Sequence, residues 1–129
     1  MARILYVEGK SYCTSCVQEK LAQRGHCVEV AHCAERAMLR INDHEEYDAL
    51  VLDLYLPGMD GAEFCRWVDR WAELEKTPKL AFTWEGHNIP TNISGELPRW
   101  LPVDQLLQGI KDIEELTREV EDFLKSQKA

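Results

Sequence analysis

A doubly wound α/β domain is the fold class that three features of the sequence predict. Short apolar runs rich in β-forming residues alternate with segments whose apolar residues recur at helical spacing. The run ALVLDL at 49–54 is almost continuously apolar, which is typical of a strand buried on both faces of a parallel sheet. The length of 129 residues suits one domain. We therefore expect one domain over 1–129, a flavodoxin-like five-stranded parallel sheet of order 2-1-3-4-5 with helices on both faces.

The elements follow in chain order from these patterns. Strands are predicted where β-forming runs occur, at 3–8, 27–31, 49–54, 79–83 and 99–102. Helices are predicted at 11–24, 34–41, 62–74 and, as a long last helix, at about 104–125. The irregular stretch 85–98 has room for one short helical turn. The last helix is longer than covering a sheet requires, so we weigh a homodimer formed through its extra turns, or a connection to an output module absent from this chain, against a simple solvated extension.

Composition narrows the function classes. Apolar residues make up 45% and charged residues 29%, so the chain can bury a core and stay soluble. Acidic residues outnumber basic ones by 23 to 15, a net charge of −8, which argues against direct nucleic-acid binding. The sequence has neither a run long enough to span a membrane nor a signal-peptide layout at its start, and we expect a cytoplasmic protein. Five cysteines, an odd number, indicate reduced thiols.

Polar residues gather where the predicted strands end. The carboxyl ends of the first, third, fourth and fifth strands are Glu8-Gly9, Asp53, Thr83 and Leu101. In an open parallel sheet these ends share one edge, and the functional crevice lies beyond them at the switch point between the first and third strands. A buried strand that ends in a carboxylate, as the third does at Asp53, therefore marks a candidate site.

The stretch DLYLPGMDG at 53–61 resembles the pattern D-x-x-L/M-P-x-x-D/N-G, which surrounds the phosphoacceptor in receiver domains of two-component response regulators. YDALVLD fits the strand before it, and RILYVEG resembles the family's opening strand. The resemblance covers nearly the whole chain, from Arg3 to the last helix. It implies that Asp53 is the phosphoacceptor and Thr83 the switch hydroxyl. It also implies a weakened Mg²⁺ site made by Glu8, Asp53 and the backbone carbonyl of Tyr55.

Several positions depart from the family pattern. Gly9 stands where a second acidic residue is usual, and Leu101-Pro102 stands where a Lys-Pro pair is usual, so both Gly9 and Leu101 are degenerate positions. Trp84 replaces a small residue, and its bulk could lie over the pocket. Lys10 could pair with Asp53 and take the place of the metal or of the missing lysine. The alternative is that Lys10 is solvated at the start of a helix.

The resemblance implies a stand-alone receiver-like domain in phosphorelay signalling. We expect it to act through protein–protein interaction, with weakened or phosphorylation-independent switching. The implied partners are a histidine kinase or phosphotransfer protein and a downstream protein, without membrane or direct nucleic-acid binding. We expect no organic cofactor and no enzymatic activity beyond phosphoacceptor and autodephosphorylation chemistry. The alternative is a flavodoxin-like redox or small enzyme domain, although no Ser/Thr-rich phosphate-binding loop follows the first strand.

The cysteines allow two further interpretations. Cys13-x-x-Cys16 after a strand could be a redox pair, and together with His26-Cys27 and His32-Cys33 these residues could imitate a zinc site. The spacing matches no compact four-ligand pattern, and Cys13 and Cys16 lie within an amphipathic helical pattern. Packing as small apolar residues is therefore favoured.

Overall fold

The computed structural model describes residues 1–9, 11–43, 46–56, 61–70, 76–86 and 102–127, and of residues 11–13, 61, 62 and 65 it describes the backbone alone. The strands are β1 Arg3–Val7, β2 Cys27–Ala31, β3 Ala49–Asp53, β4 Lys79–Trp84 and β5 Gln105–Ile110. The helices are α1 Ser11–Gln23, α2 Ala34–Asn42, α3 Gly61–Asp69 and α4 Ile113–Gln127.

The five strands form one parallel sheet in the order β2-β1-β3-β4-β5, which confirms the predicted fold class. β3 lies at the centre, and all five of its residues are buried. Its nearly continuous apolar sequence is explained by this position, because helices cover both faces of a central parallel strand. Asp53 is the last residue of β3 and ends that apolar run.

Two apolar cores lie on the two faces of the sheet. On one face α2 and α3 pack on alternate strand residues, in a core that includes Ala37, Ile41, Phe64, Val68, Leu50 and Leu52. On the other face α1 and α4 pack on the intervening strand residues, in a core that includes Val17, Leu21, Val120, Phe123, Tyr6, Val51 and Phe82. Because side chains alternate along a strand, neighbouring residues of β3 contribute to opposite cores.

The end of the chain differs from the sequence prediction. The strand predicted at 99–102 was placed too early: β5 is Gln105–Ile110, Pro102 is not in a strand, and residues 99–101 lie outside the described part. The long helix predicted from about 104 begins only at Ile113. Its start is fixed by Asp112, whose Oδ1 accepts a hydrogen bond of 2.8 Å from the backbone N–H of Glu115.

Some predicted features fall outside the described residues. These are Lys10, Leu101, the turn at 57–60 and nearly all of the irregular stretch, from 87 onward. Within the described ranges, no helix has both the length and the apolar composition that crossing a membrane requires.

Candidate functional site

Three polar side chains meet at the carboxyl edge of the sheet. Val7 pairs with Leu52 across β1 and β3, so Glu8 and Asp53 are the next residues along these neighbouring strands. Asp53 in turn pairs with Phe82, which precedes Thr83 in β4. All three side chains are buried, with Glu8 and Thr83 at 0% exposure and Asp53 at 3%. We call these three residues the strand-end site; the structure brings them to one edge as the strand pattern predicts.

Asp53 is held by the loop that follows it. Its Oδ1 accepts a hydrogen bond of 2.9 Å from the backbone N–H of Tyr55. This side chain-to-backbone contact, two residues along the chain, is typical of an aspartate at a turn. The ring of Tyr55 points outward and is 48% exposed, so the residue contributes its backbone to the site and its side chain to the surface.

Glu8 makes contacts that the sequence did not predict. Its Oε1 accepts a hydrogen bond of 2.5 Å from the hydroxyl of Tyr6, and its Oε2 accepts one of 2.5 Å from the indole Nε1–H of Trp84. Both oxygens of this fully buried carboxylate therefore have an uncharged donor. Trp84 does lie at the site, but as a hydrogen-bond donor to Glu8.

Thr83 contacts β5 through a β-bulge. Phe82 pairs with Leu107 and Trp84 pairs with Ile110, so β5 has one more residue than β4 at this point. Gly109 lies in the bulge with a φ of 73°, a conformation that glycine adopts without steric cost. Its backbone N–H donates a hydrogen bond of 3.2 Å to Thr83 Oγ1.

The observed bounds of β5 bear on one predicted degenerate position. The sequence placed Leu101 at the carboxyl end of the fifth strand, but the residues at that end are Gly109 and Ile110. Gly109 is the β5 residue that contacts Thr83, whereas Leu101 precedes the strand and lies outside the described part. The strand was placed too early in the chain, and the degenerate position Leu101 stays a prediction.

The histidine and cysteines near the site do not form a metal centre in the described part. Across those residues, no group of three or more His, Cys, Asp or Glu side chains has the arrangement to hold a metal ion. His32 Nδ1 lies 3.3 Å from the backbone carbonyl oxygen of Glu8. Cys16, Cys27 and Cys33 are free thiols, and Cys27 is exposed. The zinc interpretation therefore gains no support.

The donor types at the strand-end site match those that Mg²⁺ binds. Glu8 and Asp53 supply carboxylates, and the carbonyl of Tyr55 is the predicted third ligand; Mg²⁺ takes such oxygen donors and keeps several waters. Gly9 adds no side-chain ligand. The donor set therefore fits Mg²⁺ in kind, with fewer acidic side chains than the family pattern and with both oxygens of Glu8 already accepting hydrogen bonds.

Solved structures of similar fold belong to signalling proteins. The chemotaxis response regulator of Vibrio cholerae superposes with a TM-score of 0.79 at 23% identity, covering 95% of this chain and 98% of that one. A response regulator receiver domain protein from Methanospirillum hungatei gives a TM-score of 0.79 at 21% identity, covering 99% and 97%. At these identities the likeness shows the fold.

Sequence comparison shows the family. The transcriptional regulatory protein TcrA of Mycobacterium tuberculosis is 37% identical over 84 residues, which are 65% of this chain and 32% of that protein. The chain thus spans about a third of the length of this curated relative. Residues 4–93 match the family described as the response regulator receiver domain, which favours a signalling domain over a flavodoxin-like redox protein. This chain belongs to the response regulator receiver domain family.

Proposed function

We propose that this chain works as a cytoplasmic receiver domain in phosphorelay signalling, with switching that is weakened or independent of phosphorylation. The observation that carries the proposal is the strand-end site. It combines a buried carboxylate at the end of β3, Asp53, with a buried hydroxyl on the neighbouring strand, Thr83. In a receiver domain, this arrangement makes Asp53 the phosphoacceptor and Thr83 the switch hydroxyl.

The weakening is inferred from what surrounds Asp53. Gly9 removes one acidic ligand, Leu101 is predicted to replace the family's lysine, and the β5 residue that contacts Thr83 is Gly109. A lysine would have made a charge-assisted contact with a phosphoryl group, whereas a glycine offers only its backbone N–H. When bound, Mg²⁺ would neutralise charge on a phosphoryl group at Asp53. With fewer ligands and no lysine, both formation and recognition of the phosphorylated state are expected to be impaired.

Protein–protein contact is the output that the charge and fold support. The net charge of −8 is unsuited to a phosphate backbone. The expected partners are a histidine kinase or phosphotransfer protein and a downstream protein. A homodimer through α4 and an ion pair between Lys10 and Asp53 both remain predictions.

Phosphodonor labelling tests the proposal. The protein is incubated with acetyl phosphate and Mg²⁺ beside an intact receiver domain that has the acidic pair and the lysine, and both are analysed by intact mass spectrometry. Slow, partial addition of one phosphoryl mass, absent from Asp53→Asn, is the result expected for weakened switching. No addition in either variant supports phosphorylation-independent switching. Complete labelling at the rate of the intact receiver would overturn the proposal.

A further inference from the structure

Two aromatic residues donate to the carboxylate of Glu8 and a third packs against both of them; we call these residues, Tyr6, Trp84 and Phe82, the aromatic cluster. Tyr6 and Phe82 are stacked, with ring centroids 6.0 Å apart and planes at 12°. Trp84 meets Phe82 edge to face, at 5.3 Å and 84°. The cluster belongs to the core beneath α1 and α4, and its two polar ends, the phenol and the indole N–H, both point to Glu8.

The position of Trp84 is determined by packing as well as by its hydrogen bond. Edge-to-face contact with a neighbouring aromatic ring favours a defined orientation of the indole. The indole is partly exposed whereas Phe82 is fully buried, so Trp84 is the member of the cluster that can move outward with least disturbance of the core. Tyr6 is fully buried and has no comparable freedom.

The aromatic cluster conflicts with metal binding at the same carboxylate. Glu8 is 0% exposed, so its oxygens meet protein atoms rather than solvent. Mg²⁺ gives up its water reluctantly and is normally bound with several waters still attached. The indole N–H of Trp84 therefore competes with a hydrated ion for Oε2 of Glu8.

We propose that Trp84 is a latch that holds Glu8 out of the metal site, and that divalent-cation binding requires the indole to leave Oε2 of Glu8. Trp84 is thus a positioning residue that acts through Glu8. This inference rests on the proposed function only in taking the strand-end site as the cation site. Beyond that function, Trp84 sets the affinity for the cation, and its indole moves when the cation binds.

The latch makes a quantitative prediction for Trp84→Phe. Phenylalanine keeps an aromatic ring against Phe82 but has no N–H, so Oε2 of Glu8 loses the indole as its donor. Hydrogen bonds to charged groups are strong enough that removing this competitor should tighten Mg²⁺ binding by about tenfold or more. Tyr6→Phe, which removes the hydroxyl that donates to Oε1, should shift affinity in the same direction and serves as the second variant if Trp84→Phe folds poorly.

Titration with magnesium chloride alone, followed by two-dimensional ¹H–¹⁵N NMR, tests the latch directly. The chain has four tryptophans, and the indole signal missing from Trp84→Phe identifies that of Trp84. In the wild-type protein, Mg²⁺ should move this signal in step with the backbone signal of Asp53. Calorimetry then compares the affinities of wild type, Trp84→Phe and the control Trp67→Phe, whose ring packs in the core on the other face of the sheet.

The outcomes separate the latch from the proposed function. Tighter binding by Trp84→Phe, unchanged binding by Trp67→Phe and a moving Trp84 signal support the latch. A Trp84 signal that stays fixed while Asp53 titrates overturns it. Equal affinity in wild type and Trp84→Phe, or binding in neither, also overturns it, yet leaves phosphorylation-independent switching intact because that needs no metal.

Discussion

A largely buried bridge between the residue before β2 and α4 predicts a large coupling energy. His26 Nδ1 accepts a hydrogen bond of 3.1 Å from the backbone N–H of Ala2, so the ring proton lies on Nε2. Nε2 is 2.6 Å from Oε1 of Glu121 in α4, and the two side chains are only 11% and 16% exposed. The imidazole therefore joins the first residues of the chain, the α1–β2 turn and α4.

The perturbation is His26→Ala, measured alone and with Glu121→Ala. His26→Ala alone loses the hydrogen bond with the backbone N–H of Ala2 and the one with the carboxylate of Glu121. We expect a loss of about 2–4 kcal/mol in the free energy of unfolding. The coupling between the two residues should be about 1.5–3 kcal/mol, the range for a hydrogen bond to a charged group. Glu121→Ala alone leaves a nearly buried imidazole N–H without its acceptor.

The assay is urea unfolding of the two single variants and the double variant. The matched control is a cycle on Lys20 and Glu114, which form an ion pair between α1 and α4 with side chains 38% and 65% exposed. Exposed pairs contribute about 0–1 kcal/mol, so this cycle should give little coupling. If the two cycles give equal coupling energies, burial does not determine the strength of these bridges, and the reasoning is refuted.

Three further changes are predicted from single contacts, each measured by urea unfolding. Gly109→Ala should destabilise the protein by about 1–2 kcal/mol, because the φ of 73° is unfavourable for alanine; an unchanged midpoint would contradict this. Gln108→Met should stabilise by about 1 kcal/mol, because the buried Oε1 of Gln108 has no hydrogen-bond partner among the described residues; a loss of stability would show an unrecognised contact. Tyr47→Phe should cost about 1.5–3 kcal/mol, because the hydroxyl donates to Glu29 Oε2 at 2.5 Å, and Tyr47→Phe combined with Glu29→Gln should cost less than the sum of the single changes.

Most of the sheet could be predicted from the sequence, and the fifth strand shows why the rest could not. β1 to β4 are compact runs of β-forming residues, so their pattern is unambiguous. In β5, Leu106 packs in one core and Leu107 in the other, as expected of consecutive residues in a strand. However, helical spacing also fits three apolar residues here, Leu106, Ile110 and Ile113. Glutamines also occur in this strand, at 105 and 108, where β-branched residues are typical. Asp112, the cap residue, was a stronger sequence signal than this spacing, because it marks where the helix begins.

The candidate site was predictable only as a set of positions. Parallel strands bring their carboxyl ends to one edge whatever their side chains, and this placed Glu8, Asp53 and Thr83 together. The contacts of each side chain depend on rotamers and on a bulge, which periodicity does not encode. For this reason the donation of Trp84 to Glu8 and that of Gly109 to Thr83 became visible only in the structure.

The departures from the family pattern fit together physically at the strand-end site. Each of its three side chains accepts a hydrogen bond from an uncharged donor of the chain itself: Glu8 from Tyr6 and Trp84, Asp53 from the backbone of Tyr55, and Thr83 from the backbone of Gly109. Buried carboxylates are costly unless such donors are present. These neutral donors contribute to the resting arrangement, and a ligand that takes their place must displace them. Such competition would make the site hard to switch, which is the behaviour proposed for this domain.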